Sequence, residues 1–124
     1  MKRVRFALAL LALGAAGVVA PFAIPAIGAG SSTSKTVTIK VTASEWKFGL
    51  SKKTVPTGTT VIFKVTNKGK IGHDFKINGK KTPLIQPGTT GKLVVTFKKK
   101  GKYPYLCTVP GHAQAGMRGT FTVR

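Results

Sequence analysis

From Thr36 onward the chain alternates apolar and polar residues in short runs. Val37, Ile39 and Val41 interleave with Thr36, Thr38, Lys40 and Thr42, and Val61, Phe63 and Val65 with Ile62, Lys64 and Thr66. A period of two places one set of side chains on each face of an extended strand, so each run predicts a strand with one buried face. Further candidates run over 72–77, 92–97, 103–107 and 119–123. Turn-forming stretches divide them: Pro56-Thr57-Gly58, Asn67-Lys68-Gly69, Asn78-Gly79, Pro87-Gly88 and Lys100-Gly101. No helical period is sustained. The expected fold class is all-β, a Greek-key β-sandwich of about seven strands. Trp46, Phe48, Phe63, Phe75, Phe97, Tyr103, Tyr105 and Phe121 are assigned to its core.

The N-terminus reads differently. Met1 to Arg5 carry three positive charges, and Phe6 to Ala20 follow with none, the order of a secretory signal. Pro21 and Pro25 interrupt the apolar stretch short of the roughly 20 residues a membrane span needs. The expectation is a signal peptide over 1–29, cleaved near Ala29, a spacer over 30–35, and one domain over 36–124. An uncleaved anchor is the alternative. The mature chain is thus placed outside the cytoplasm, in the periplasm, the cell envelope or beyond. Cys107 is the only cysteine of the 124 residues, so no internal disulfide can form. A lone thiol in an oxidising compartment needs a protector, such as a metal.

Charge narrows the partners. Without Lys2, Arg3 and Arg5, 18 of the 21 basic residues remain, 16 of them lysines, against Glu45 and Asp74, giving a net charge of +16. Such a coat attracts anionic cell-envelope surfaces or acidic redox proteins, or simply solvates the strands. Nucleic acid is excluded as a partner, because no basic segment interleaves with aromatics.

The soft donors of the mature chain are few: Cys107, His73, His112 and Met117. Three fall in Cys107-Thr-Val-Pro-Gly-His112-Ala-Gln-Ala-Gly-Met117, and His73 begins an earlier strand. Singly, each has an ordinary reading as core filler or a surface residue. Together, a thiolate, two imidazoles and a weak thioether are the donor set of a blue-copper site, where the ion changes oxidation state with little movement. Cys107 would end one strand and Met117 begin the next, with His112 between them on a loop shaped by Pro110, Gly111 and Gly116. Zinc fits poorly because methionine is a poor zinc ligand.

The run from Tyr105 through Gly119 resembles the copper loop of the cupredoxins, the plastocyanin and azurin family. Gly72-His73-Asp74-Phe75 is similar to the segment that carries that family's first histidine, and the stretch from Val55 to Asn67 resembles the approach to it. The likeness covers about 37–123, with loop spacing similar to rusticyanin-like and auracyanin-like members. It implies one type 1 copper per chain, with Cys107 as thiolate, His73 as buried equatorial ligand, Met117 as axial ligand, and His112 as the ligand whose ring edge reaches the surface. In many relatives an asparagine follows the first histidine; here Asp74 stands there, expected either to brace the site through Thr108 or to bond its own backbone as an ordinary turn aspartate. Pro110, Gly111, Ala113, Ala115 and Gly116 would form a small apolar docking patch around His112. The implied function is one-electron transfer outside the cytoplasm by a monomer, with acidic partners of cytochrome or oxidase type. Copper sequestration or delivery is the alternative. Enzymatic copper chemistry of the multicopper oxidase or nitrite reductase kind needs more histidines than the two present.

Overall fold

The alternating runs become strands whose buried residues keep the expected parity. In chain order the first five are β1 (Thr36–Ser44), β2 (Lys47–Leu50), β3 (Thr54–Val55), β4 (Thr60–Asn67) and β5 (Lys76–Ile77). They are followed by β6 (Lys80–Lys81), β7 (Thr90–Thr96), β8 (Gly101–Leu106), the single-turn helix α1 (His112–Ala115) and β9 (Arg118–Val123). The computed structural model describes residues 34–124, together with Gly14, Ala16, Gly17 and Pro21. The signal peptide and most of the spacer lie outside the described residues. Among those described, no helix is long and apolar enough to cross a membrane.

One sheet has the order β2-β1-β4-β7 and the other β3-β9-β8-β5-β6. Both are mixed: β1 pairs parallel with β4, β3 pairs parallel with β9, and the remaining pairs are antiparallel. The chain passes between sheets at β2–β3, β3–β4, β4–β5, β6–β7 and β7–β8. Ile39, Val41 and Ala43 of β1 and Val61, Phe63 and Val65 of β4 face Phe121 and Val123 of β9 across the core. Phe63 joins the layers, with its ring centroid 5.1 Å from Phe75 and 5.6 Å from Phe121. Asn78 (φ 50°) and Gly79 (φ 72°) take the left-handed conformations of the tight turn between β5 and β6.

Among the described residues the strands number nine, against about seven expected. β3 and β6 are two residues each, too short to show a period. The strand expected over 72–77 pairs only at Lys76–Ile77, because His73 instead forms an isolated bridge with Ile85 and Phe75 bonds Thr82. Trp46 is not core. It is 44% exposed, while Phe48 and Tyr103 are only half-buried against the cluster.

Candidate metal centre

The β8–β9 pairing closes with Leu106 opposite Arg118, so Cys107 and Met117 are the next two residues facing each other. The Cys107 amide donates to the Met117 carbonyl at 3.0 Å, and the Met117 amide to the His112 carbonyl at 3.1 Å. One short loop therefore fixes three of the four predicted donors through its backbone. Gly116 is required there: its φ is 129°, and a Cβ would come within 2.8 Å of the Trp46 carbonyl oxygen.

His73 arrives from the connection between β4 and β5. Its amide donates to the Ile85 carbonyl at 3.1 Å, and the Ile85 amide donates back to His73 at 2.7 Å. Asn67, fully buried at the end of β4, holds this connection in shape. Its Nδ2 donates to the carbonyls of Ile71 and Ile85, both at 2.8 Å, and its Oδ1 accepts from the Gly69 amide at 2.8 Å.

The donors converge. His73 Nδ1 lies 3.1 Å from His112 Nδ1, and Cys107 Sγ lies 3.5 Å from the same nitrogen. The three ligand atoms all fall within 4.8 Å of one another. Ligands that share one ion at bond lengths of about 2.0–2.3 Å are separated by roughly 3–4.5 Å, so the cluster fits a single ion. Met117 is fully buried, Cys107 is 1% and His112 7% exposed. Burial pushes the Cys107 thiol above its usual value and pushes His112 below its own, the latter helped by the charge of His73. A thiol kept protonated until a cation arrives, beside a neutral imidazole, is the donor state that couples binding to proton release.

Two carboxylates support the ligand loops, and they are the only acids in the chain. Asp74 Oδ1 accepts from the Thr108 amide at 2.6 Å, and Oδ2 accepts from the Thr108 hydroxyl. These bonds tie the residue after His73 to the residue after Cys107. Glu45, just past β1, has no counterpart in the sequence reading. His73 Nε2 lies 3.1 Å from its Oε1, and the same oxygen accepts from the amides of Lys70 at 2.8 Å and Ile71 at 3.2 Å. Partial burial raises the Glu45 carboxyl, but the Lys70 amide, its own amide, the Ile71 amide and the His73 ring outweigh this and hold it at about 2. Gly69 leaves the space this carboxylate occupies. With Nε2–H donated to a carboxylate, His73 presents Nδ1 as the free lone pair toward the other donors.

Only 7% of His112 is exposed. It is buried, and the Trp46 indole stands over it edge to face with centroids 5.0 Å apart. Around this pair Pro110, Gly111, Ala115 and Gly116 are exposed and Ala113 half-buried. Tyr105, which shares the parity of Cys107, fills core against Phe75 and Phe48.

A sandwich of two mixed sheets with a Cys-His-His-Met cluster at one end, arranged as a type 1 copper site, is the architecture of the blue copper proteins. The family model described as the cupredoxin-like domain matches residues 9–123, and the chain belongs to that family, with copper as its cofactor. The copper-resistant cuproprotein CopI of Rubrivivax gelatinosus is 30% identical over 109 residues, which is 70% of this chain and 66% of that protein. Rusticyanin of Acidithiobacillus ferrooxidans is 35% identical over 91 residues, 56% of this chain and 48% of rusticyanin. The dithionite-reduced auracyanin of Roseiflexus castenholzii superposes with a TM-score of 0.64 at 24% identity, over 73% of this chain and 98% of that one, a likeness of fold. The chain spans 66% or less of the length of the CopI proteins it matches.

Proposed function

We propose that this protein is a one-electron carrier outside the cytoplasm, not an enzyme, and that His73, Cys107, His112 and Met117 hold its copper. The observation that carries the reading is enclosure. The donors are buried and already gathered around one point by backbone and carboxylate bonds, with Trp46 over His112. Bound copper supplies a one-electron couple. Glu45 orients His73, Asp74 and Thr108 join the two ligand loops, and burial excludes water. The exposed Trp46 beside His112 adds a second group on the path to a partner, within a small apolar patch suited to brief docking. The charge of +16 directs acidic partners of cytochrome or oxidase type to a monomer, and residues 1–29 direct export.

A second reading, copper sequestration or delivery, is favoured by the likeness to CopI proteins, whose name denotes copper resistance. Two measurements on the copper-loaded protein separate them: electron self-exchange, and copper loss to a competing chelator. A carrier exchanges electrons rapidly while retaining its copper through both oxidation states. Slow exchange with ready release of copper in either state overturns the carrier reading.

A further inference from the structure

The outer face of the β2-β1-β4-β7 sheet carries an arrangement that the copper site does not use. Pairing register places Lys40 directly opposite Lys64, and Lys64 directly opposite Lys92. All three are exposed. Two residues along, on the same face, Thr42, Thr66 and Thr90 form a parallel row, with the Thr66 and Thr90 hydroxyls 3.0 Å apart. Lys68 lies beyond them. Lys40, Val41, Thr42, Lys64, Thr66, Lys68 and Thr90 line one shallow depression, with threonine hydroxyls between Lys40 and Lys64 on one side and Lys68 on the other, and Lys92 extends the lysine row beside it.

Like charges directly opposite one another destabilise a sheet. Lysines elsewhere relieve such repulsion with neighbouring acids, but here none is free. Glu45 is committed to His73 and the Lys70 and Ile71 amides, and Asp74 to Thr108. Among the described residues the only contact at ion-pair distance is His73–Glu45. The lysine row is thus uncompensated within the chain, and its counter-charge must come from outside.

The chemistry of the depression selects the counter-charge. Lysine is a point-charge binder of phosphate, and threonine hydroxyls donate to phosphate oxygens. No aromatic ring is present on which a base could stack. Strands stand about 4.8 Å apart and same-face rows about 6.7 Å apart, so the cations form a narrow band rather than a broad disc. We propose that this face binds a linear phosphate polyanion, the kind of polymer that an exported, strongly cationic protein meets in a cell envelope. The row at Lys40 lies four residues along β1 from Ser44, about 13 Å from the end where Glu45 and Trp46 stand. A polymer lying along the Lys40–Lys64–Lys92 row leaves the copper end open to a redox partner.

The test uses the copper-loaded mature protein and long-chain inorganic polyphosphate, followed by calorimetry across a salt series. The variant Lys40→Gln/Lys64→Gln/Lys92→Gln is compared with Lys98→Gln/Lys99→Gln/Lys100→Gln, which removes equal charge from another part of the chain. The face variant should lose at least tenfold more affinity than the control and show a shallower salt dependence, by about two to three counterions. It should also melt at a higher temperature than the parent without polyphosphate, because opposed charges are gone, and this gap should close when polyphosphate is added. Equal losses in the two variants overturn the proposal in favour of diffuse attraction. Binding to phosphatidylglycerol vesicles but not to polyphosphate overturns it in favour of a membrane surface. Binding of inorganic phosphate as tight as that of the polymer overturns the linear occupant.

Discussion

Glu45 illustrates how much of the site rests on single side chains outside the ligand set. Its carboxylate takes the His73 Nε2 proton side and two backbone amides at once, so it fixes both ring and loop. Removing such a partner of a metal-bound histidine costs about 10- to 100-fold in metal affinity. Glu45→Ala should therefore retain copper 10- to 100-fold less well in a chelator competition, with Glu45→Gln intermediate because it still accepts hydrogen bonds. Retention equal to the parent would remove Glu45 from the site. The four soft donors were legible in the sequence because the mature chain holds no others. Glu45 was not, since 28 residues separate it from His73 and a solitary acid in a lysine-rich chain reads as charge balance. Trp46 misled for a related reason. Aromatic residues predict core by default, whereas the close approach of Gly116 to the Trp46 carbonyl and the contact of its ring with His112 show that Trp46 packs against the copper loop.

Among the elements, the connection that carries His73 is held by a buried side chain as well as by its backbone bridge to Ile85. Asn67 makes three hydrogen bonds from a fully buried position, at about 1 kcal/mol each. Asn67→Ala should cost about 3 kcal/mol in denaturant unfolding of the copper-free protein; a loss under about 1 kcal/mol would show that the loop stands without it. Phe63 sets the scale for the core proper: Phe63→Ala should cost about 3–5 kcal/mol. The alternation made β1, β4, β7 and β9 readable, because each buries one face for several residues. It gave no sign of β3 or β6, which are too short to alternate, and it over-extended the strand at 72–77, where a tertiary bond from Asp74 to Thr108 replaces pairing. The β1–β2 hairpin contributes to function through Trp46. Trp46→Ala should leave the copper spectrum nearly unchanged yet slow electron exchange with a partner, whereas unchanged exchange would return the exit to the loop residues around His112.

At the scale of the whole molecule, charge and copper divide the surface. Both acids of the chain serve the metal end, and the lysines occupy the sheet faces and turns without them. Long-range attraction from such a surface reaches about 30 Å at 0.01 M salt and about 8 Å at 0.15 M. Reduction by an acidic partner should accordingly slow by about tenfold or more over that range. A rate independent of salt would show that the lysine coat does not steer partners. The fold and the gathered donors were both in the sequence, one as periodicity and the other as the spacing of rare residues. The surface rows were not, because only the register of β1, β4 and β7 brings Lys40, Lys64 and Lys92 side by side.

The central claim, one copper held by Cys107, His73, His112 and Met117, is tested most directly by adding Cu(II) to the purified mature protein and recording visible and electron-paramagnetic spectra. An intense blue absorption with a small copper hyperfine splitting is expected, lost in Cys107→Ala and retained in Met117→Gln. A colourless protein, or the spectrum of ordinary tetragonal copper, would contradict it.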